Sequence, residues 1–409
     1  MDWDKIFTKI KTYEEEAISL QQQLISIPAL SPVNGGDGEE EKAKLVKKFL
    51  NSLGKLEITE VNAPDKRVSC GFRPNIIAKL PGRDAQRTVW IMSHLDIVPP
   101  GEGKLWNTNP YQAVVKDGKI YGRGAEDNHQ GLVASLLALK AFFDTGITPY
   151  YSFGVVIVAD EETGSEYGLK YVLENFEGFS PADLIVVPDA GNPEGSLIEV
   201  AEKSIMWTKF ITTGKQCHAS TPHKGINAFK AASHLVTKLE KLYELFPASD
   251  PLFSPPISTF EPTKKEANVP NINTLPGEDI FYLDSRVLPI YPLEEVLKAI
   301  EKMIKEVEEK FKVTIKIDFA QKNQAAPPTS IDAPIVKSLT KAIREVYNVE
   351  PTPKGIGGGT VAAFFRRKGY PVAVWSTLDE MAHQPNEYCL IENLLKDASV
   401  FAWIALNKI

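Results

Sequence analysis

Three apolar runs in this chain share one design: each is short, unbroken by polar residues, and closes on a histidine or a carboxylate. They are Val89-Trp-Ile-Met92, leading into Ser93-His94-Leu95-Asp96; Phe153-Gly-Val-Val-Ile-Val-Ala159, leading into Asp160-Glu161-Glu162; and Leu184-Ile-Val-Val-Pro188, leading into Asp189. Strands without polar alternation are buried on both faces, the mark of a parallel sheet covered by helices. In open α/β sheets, ligand chemistry gathers at the carboxyl ends of the strands. The chain is therefore expected to be an α/β protein that carries His94 and several acids to one edge of its sheet. His-x-Asp at a strand end suits a metal: the imidazole binds the ion, and the carboxylate two residues on can hold the ring's other nitrogen and fix its tautomer. Adjacent carboxylates such as Glu161 and Glu162 repel unless something positive lies between them, a solvated turn being the alternative.

Composition narrows the partners. The net charge of −7 argues against nucleic acid, whose phosphates want a basic face. No apolar run approaches the roughly 20 residues that span a bilayer, so no membrane role is expected. The opening Met1-Asp-Trp-Asp-Lys5 lacks the basic segment and apolar core of a signal peptide. Cys70, Cys217 and Cys389 form neither a disulfide framework nor a Cys-x-x-Cys zinc pair, which makes a reducing, cytoplasmic setting the expectation.

The 409 residues imply two or three domains. Helical spacing marks residues 12–27 and 39–53, and a short strand covers 75–80. Asp117-Gly118 reads as a hairpin turn. Residues 130–143 read as a helix with Gly146 as its stop, and Asp127-Asn128 stand where its N-cap belongs, so a capping role for Asp127 is open beside a metal role. From residue 205 the texture changes: strand 206–214, helix 225–245, strands 256–261 and 279–288, helix 293–311 and strand 313–319. That β-α-β-β-α-β order is the ferredoxin-like pattern, expected as a domain inserted into the first. The chain then returns to α/β, with helix 332–347, the glycine run Gly355–Gly359, helix 361–368, strand 370–375, a loop holding His383, and a closing helix 390–405.

The order of these motifs resembles the co-catalytic zinc peptidase and deacylase family that includes acetylornithine deacetylase, succinyl-diaminopimelate desuccinylase, aminoacylase and bacterial dipeptidases. The resemblance runs from Leu24-Ile-Ser-Ile-Pro-Ala-Leu-Ser-Pro32 to His383 and the helix beyond. It implies a catalytic domain with a mixed sheet flanked by helices, from residues 1–204 and 321–409, and an inserted ferredoxin-like α+β dimerisation or lid domain, 205–320. It further implies two Zn²⁺ ions per chain, with Co²⁺ or Mn²⁺ as substitutes. His94 and Asp189 would hold one, Glu162 and His383 the other, and Asp127 would bridge them, with a cis peptide between Asp127 and Asn128. Glu161 would be the general base and Asp96 the partner of His94. His nitrogen and carboxylate oxygen are suitable donors for zinc. His218, in Gly214-Lys-Gln-Cys-His218-Ala-Ser-Thr-Pro222, would reach the partner subunit's site in a homodimer and stabilise an oxyanion. Asn273 and Arg286 would bind the substrate's carboxylate, and Gly358, Gly359 and Thr360 would line the pocket. The implied substrates are small peptides or N-acyl amino acids. The Gly-Gly-Gly-Thr-x-Ala form leans towards the dipeptidases, with N-succinyl and N-acetyl deacylases open. Val361 where many deacylases have Asp, Asn128-His129-Gln130-Gly131 in place of the frequent Met-Lys-Gly, and Asp rather than Glu at 189 depart from the commoner pattern.

Two readings compete. Gly355–Gly359 could serve as a nucleotide phosphate loop, but it lacks a Gly-Lys-Ser/Thr ending and no clear strand is read before it. A catalytically inactive binding homologue is the other, against which stands the complete set of ligands and Glu161.

Overall fold

A computed structural model describes residues 2–408. The chain divides into two compact units: Met1–Val200 with Thr329–Lys354 and Phe364–Ile409, and Ala201–Pro328 with Gly355–Ala363. The segment Gly355–Ala363 thus groups with the second unit, whereas the boundaries read from the sequence put it with the first.

The first unit is built on an eight-stranded mixed sheet. From one edge its strands are Glu57–Glu60, Ile76–Leu80, Tyr151–Val158, Asp84–His94, Leu184–Gly191, Val372–Ser376, Leu197–Glu202 and Thr352–Ile356. The central strand Asp84–His94 runs parallel to both neighbours, Tyr151–Val158 and Leu184–Gly191, and Val372–Ser376 continues the parallel set. Val89 to Met92 are all buried, as their unbroken apolarity requires. Trp90 fits because Gly154 on the next strand has no side chain: a Cβ there would lie 2.2 Å from the indole ring. The indole N–H donates to Asp183 at 3.0 Å, so the large ring is buried without an orphaned donor.

The helix His129–Thr145 packs against this sheet on one side and against Asp2–Lys11, Glu14–Ile25 and Ile391–Leu406 on the other. It is apolar nearly all round over His129–Leu139, where it has no solvent face. Leu132, Val133, Leu136 and Leu137 are fully buried, each contributing about 1.5–3 kcal/mol relative to exposure. Gly146, left-handed at φ 65°, ends it as read from the sequence. Burial of this helix fixes its N-terminus, and with it the preceding Asp127, at the carboxyl edge of the parallel strands. The hairpin at Asp117-Gly118 is present, and the Asp127–Asn128 peptide is cis.

The second unit holds a four-stranded antiparallel sheet in the order Thr259–Lys265, Glu278–Val287, Ser204–Thr213, Thr314–Asn323. Glu278–Val287 alternates strictly, with Asp279, Phe281, Leu283, Ser285 and Val287 buried. One face packs on the helices Ala228–Leu239 and Leu293–Phe311 through Phe210, Phe281, Leu235 and Ile300. The β-α-β-β-α-β order stands, except that the helix read as 225–245 starts after the cap Asn227 and breaks at Glu240. A small ribbon, Cys217–His218 paired with Thr274–Leu275, is additional.

Some elements escaped the sequence reading: Asp2–Lys11, Glu57–Glu60, Leu197–Glu202 and Thr352–Ile356. The last corrects one premise, because a strand does precede the glycines. The phosphate-loop reading still fails: the buried carboxylate of Glu202 accepts from Thr360 N (3.0 Å) and Oγ1 (2.6 Å), placing negative charge where a phosphate would have to approach. Among the described residues, no helix is long and apolar enough to cross a membrane.

Candidate metal centre

Five ionisable side chains from five segments meet at the carboxyl edge of the parallel strands. His94 ends its strand, Glu162 follows Tyr151–Val158, Asp189 lies near the end of Leu184–Gly191, Asp127 heads the buried helix, and His383 comes from the loop after Val372–Ser376. Asp127 stands between the imidazoles: its Oδ1 is 3.0 Å from His94 Nε2 and its Oδ2 is 3.2 Å from His383 Nε2. Asp189 lies 3.5 Å from His94 Nε2, and Glu162 lies 3.1 Å from His383 Nε2. Donor atoms of His94, Asp127 and Glu162, and separately of His94, Glu161 and Asp189, fall within 4.8 Å of one another. The helix-cap reading of Asp127 is replaced: Asn128 holds the cap position, without a side-chain capping bond.

The electrostatics fit a cation. Burial opposes ionisation of Asp127, yet bonds from His383 and His94 outweigh it and hold its pKa below the usual range. Burial pushes Glu161 well above that range, helped by Asp189 and opposed by His94. Burial likewise raises Glu162, with His383 opposing. Burial alone would lower the His94 pKa, but Asp127, Asp189 and Asp96 raise it well above normal. Asp127 and then Glu162 push His383 up to about 10. The two imidazoles thus carry the positive charge that a divalent cation would otherwise bring. Glu162 Oε1 is buried with no hydrogen-bond partner among the described residues, an orphaned acceptor that a metal would satisfy.

Asp96 has a second task beside His94. Its carboxylate is 3.5 Å from His94 Nδ1, whereas its main-chain carbonyl is 3.1 Å away and is the closer acceptor. That carbonyl takes the Nδ1 proton, and Nε2 is the nitrogen that faces the acids. The carboxylate instead accepts from the main-chain N–H groups of Glu161 and Glu162, at 3.0 Å each. It therefore fixes the turn that presents the paired glutamates. Behind that turn Asp160, left-handed at φ 60°, faces the fully buried Arg73, which also pairs with Glu39. No hydrogen bond holds the Glu161 carboxylate among the described residues.

Carboxylates overlooked in the sequence hold the loops of Asp127 and His383. Glu387 accepts from Arg123 Nη1 and from the N–H groups of Gly124, Glu126 and Asp127 at 2.7–3.0 Å. Glu126 accepts from Asp379 N at 2.6 Å and from Met381 N. Its place beside Asp127 was one available signal. Glu387 offered only its nearness to His383.

The remaining residues singled out lie in the second unit. His218 and Asn273 meet on the small ribbon, where Ala219 N donates to Asn273 O at 2.9 Å. Ser220 N donates to His218 Nδ1 at 3.2 Å, so the ring proton sits on the outward Nε2. Arg286 is largely engaged: Asp284 takes its Nε (2.7 Å) and Nη2 (3.1 Å), and Gly357 O takes Nη1 (2.8 Å). Asp284 at i−2 shares its strand face, a relation legible in the sequence. Gly358, Gly359 and Thr360 form the adjoining loop, tied down through Thr360 and Glu202.

Comparison with known proteins agrees with this geometry. Residues 90–407 match the model of peptidase family M20/M25/M40. An uncharacterized metallohydrolase of Methanocaldococcus jannaschii is 48% identical over 95% of this chain and 98% of its own. A succinyl-diaminopimelate desuccinylase of Nautilia profundicola is 30% identical over 75% of this chain and 80% of its own. The solved structure of aminopeptidase PepT from Bacillus cereus shares the fold at a TM-score of 0.74 and 20% identity, covering 96% of this chain and 98% of that one. With the family model covering most of its length and its His and acid side chains gathered at one sheet edge, the chain belongs to peptidase family M20/M25/M40 and is a metal-dependent hydrolase of amide bonds.

Proposed function

We propose that the enzyme binds two Zn²⁺ ions and cleaves small peptides, as a dipeptidase or exopeptidase. The observation that carries this reading is Asp127, whose two oxygens face His94 and His383 separately. His94 and Asp189 would hold one ion, Glu162 and His383 the other, with Asp127 common to both. Bound metal would supply polarisation of the scissile carbonyl and a lowered pKa for water.

The chain's own residues then do the following. Asp96 holds the backbone of Glu161 and Glu162, so that Glu161 faces the reacting centre with no competing hydrogen bond. Glu161 accepts the proton of the attacking water and passes it to the leaving amine. His218, with its proton on Nε2, donates to the tetrahedral oxyanion in the site of the partner subunit of a homodimer. Arg286 keeps two N–H groups beyond those taken by Asp284 and Gly357 for the substrate's carboxylate, with Asn273 and the N–H groups of Gly358 and Gly359 as further donors, while Thr360 N–H is committed to Glu202 and holds the loop.

A second reading, an N-succinyl amino acid deacylase, is favoured by the 30% identity to the Nautilia profundicola desuccinylase. One screen separates them. Protein supplied with Zn²⁺ or Co²⁺ is assayed against dipeptides and against N-succinyl and N-acetyl amino acids. Dipeptide turnover at least about tenfold above the others in kcat/KM is expected. Preference for an N-succinyl substrate would replace the first reading by the second.

A further inference from the structure

Two of the ligands sit on loops with little regular structure. His383 lies in the stretch between Ser376 and Tyr388, where Glu380, His383 and Asn386 all adopt left-handed backbone at φ 59°, 64° and 59°. Non-glycine residues avoid that region, so the loop needs contacts that over-determine it. Asp127 lies in the turns Gly122–Asn128 before the buried helix. Each loop carries a buried glutamate whose oxygens are used by the other. Glu126 sits beside Asp127, and its two oxygens take the N–H groups of Asp379 and Met381, in the turn leading to His383. Glu387 lies just beyond His383; its Oε1 takes the N–H groups of Glu126 and Asp127, and its Oε2 takes Gly124 N and Arg123. Both side chains are almost wholly buried, at 2% and 0% exposure. The strand pair Tyr388–Tyr121 and Leu390–Lys119 ties the same two segments together just beyond.

We propose that Glu126 and Glu387 form a reciprocal clasp, two positioning residues that lock the loop of Asp127 to the loop of His383 and so set the spacing between bridging and terminal metal ligands. The clasp rests on the two-metal reading above only in what it positions. Neither glutamate belongs to the donor groups around His94. Apart from Arg123 on Glu387, every donor to the pair is a main-chain N–H, so the loops are held by their backbones and their side chains are left free to ligate. Gln at either position keeps one acceptor oxygen but turns an amide N–H₂ towards a main-chain donor, opening one half of the clasp while preserving size. Outer partners of metal ligands typically change metal affinity 10–100-fold when removed.

The test compares the parent, Glu126→Gln, Glu387→Gln, His383→Ala, the double variant Glu126→Gln/His383→Ala, and the surface control Glu166→Gln. Hydrogen exchange on metal-free protein comes first. Glu126→Gln should speed exchange of the amides at 379–381 by about tenfold or more, Glu387→Gln should do so at 124–127, and the control should match the parent. Co²⁺ titration, followed by bound-metal analysis and the visible spectrum, comes second. Glu126→Gln should weaken the ion lost in His383→Ala about 10–100-fold. The double variant should lose no more than His383→Ala alone. Unchanged exchange at the opposite loop, Co²⁺ binding equal to the parent's, or losses that multiply in the double variant would each overturn the clasp. Should the parent bind one ion or none, the two-metal reading falls, and the exchange result alone decides the clasp.

Discussion

Asp96→Asn separates two roles that a strand-end His-x-Asp leaves entangled. If the carboxylate served mainly to hold the His94 ring, an amide oxygen could replace it with little loss. In the structure Nδ1 is held by the main-chain carbonyl of residue 96, which the substitution leaves in place. The carboxylate oxygens go to Glu161 N and Glu162 N, at 3.0 Å each, in a site with no solvent exposure. Asparagine can satisfy only one of these donors and turns its N–H₂ against the other. Losing one charge-assisted hydrogen bond forfeits about 1.5–3 kcal/mol, and the buried unsatisfied donor costs about 1–3 kcal/mol more. If about 3–4 kcal/mol of this is felt as misplacement of Glu161 in the transition state, kcat falls roughly 10²–10³-fold. The assay is steady-state kinetics on the best substrate from the screen, with bound metal and thermal melting measured on the same preparation. The expected result is a large loss in kcat, KM within a few-fold of the parent, and retention of the ion held by His94. A kcat within about threefold of the parent, or loss of the His94 ion in step with activity, would refute the assignment.

Three further outcomes follow from the packing and charge. Gly131→Ala would put a Cβ 2.5 Å from Pro188 Cγ and 3.0 Å from Pro188 O, so about 1–3 kcal/mol of stability and a few degrees of melting temperature should be lost; an unchanged melt would contradict the packing. Lys42 is fully buried, its Nζ 2.8 Å from His129 Nε2 and facing Asp96, Glu39 and Glu387, and burial lowers its pKa to about 7. Because the unfolded chain keeps that proton up to about pH 10 and the folded chain does not, this group's contribution to stability rises with pH between those values, by up to about 4 kcal/mol. Lys42→Met should lack the rise, and a stability difference between parent and variant that stays flat from about pH 6.5 to 9 would contradict the shift. Chelation should lower the melting temperature of the parent, with recovery on adding Zn²⁺, and should do so less in His383→Ala; equal responses would remove His383 from the ligand set.

The core sheet and the cluster of His and acid side chains at its edge were legible in the sequence wherever one residue type at one place had a single physical reason. Short apolar runs rich in β-branched residues and closed by turn or acid residues read as doubly covered strands, so Val89–Met92 and Leu184–Val187 announced a parallel core, and the acids at their ends followed from topology. The alternation of 279–287 was equally plain. What the sequence hid was set by tertiary donors. Whether Asp96 would face an imidazole or two backbone N–H groups depends on where the next strand's turn arrives. Glu126, Glu387 and Asp160 look like surface acids until the loops and Arg73 close over them. The strand Thr352–Ile356 was missed because Pro353 and Gly355 mask a half-buried edge. The partial engagement of Arg286 could have been read from Asp284 two residues earlier, since alternate residues of a strand share a face.

The central claim is that Glu161 moves the proton while other side chains hold the metal. Glu161→Gln tests it most directly, with bound metal and hydrolysis measured on the same sample. The account predicts metal content equal to the parent's and hydrolysis reduced by at least about 10²-fold, the range a positioned general base supplies. Full activity in the variant, or metal lost together with activity, would contradict it.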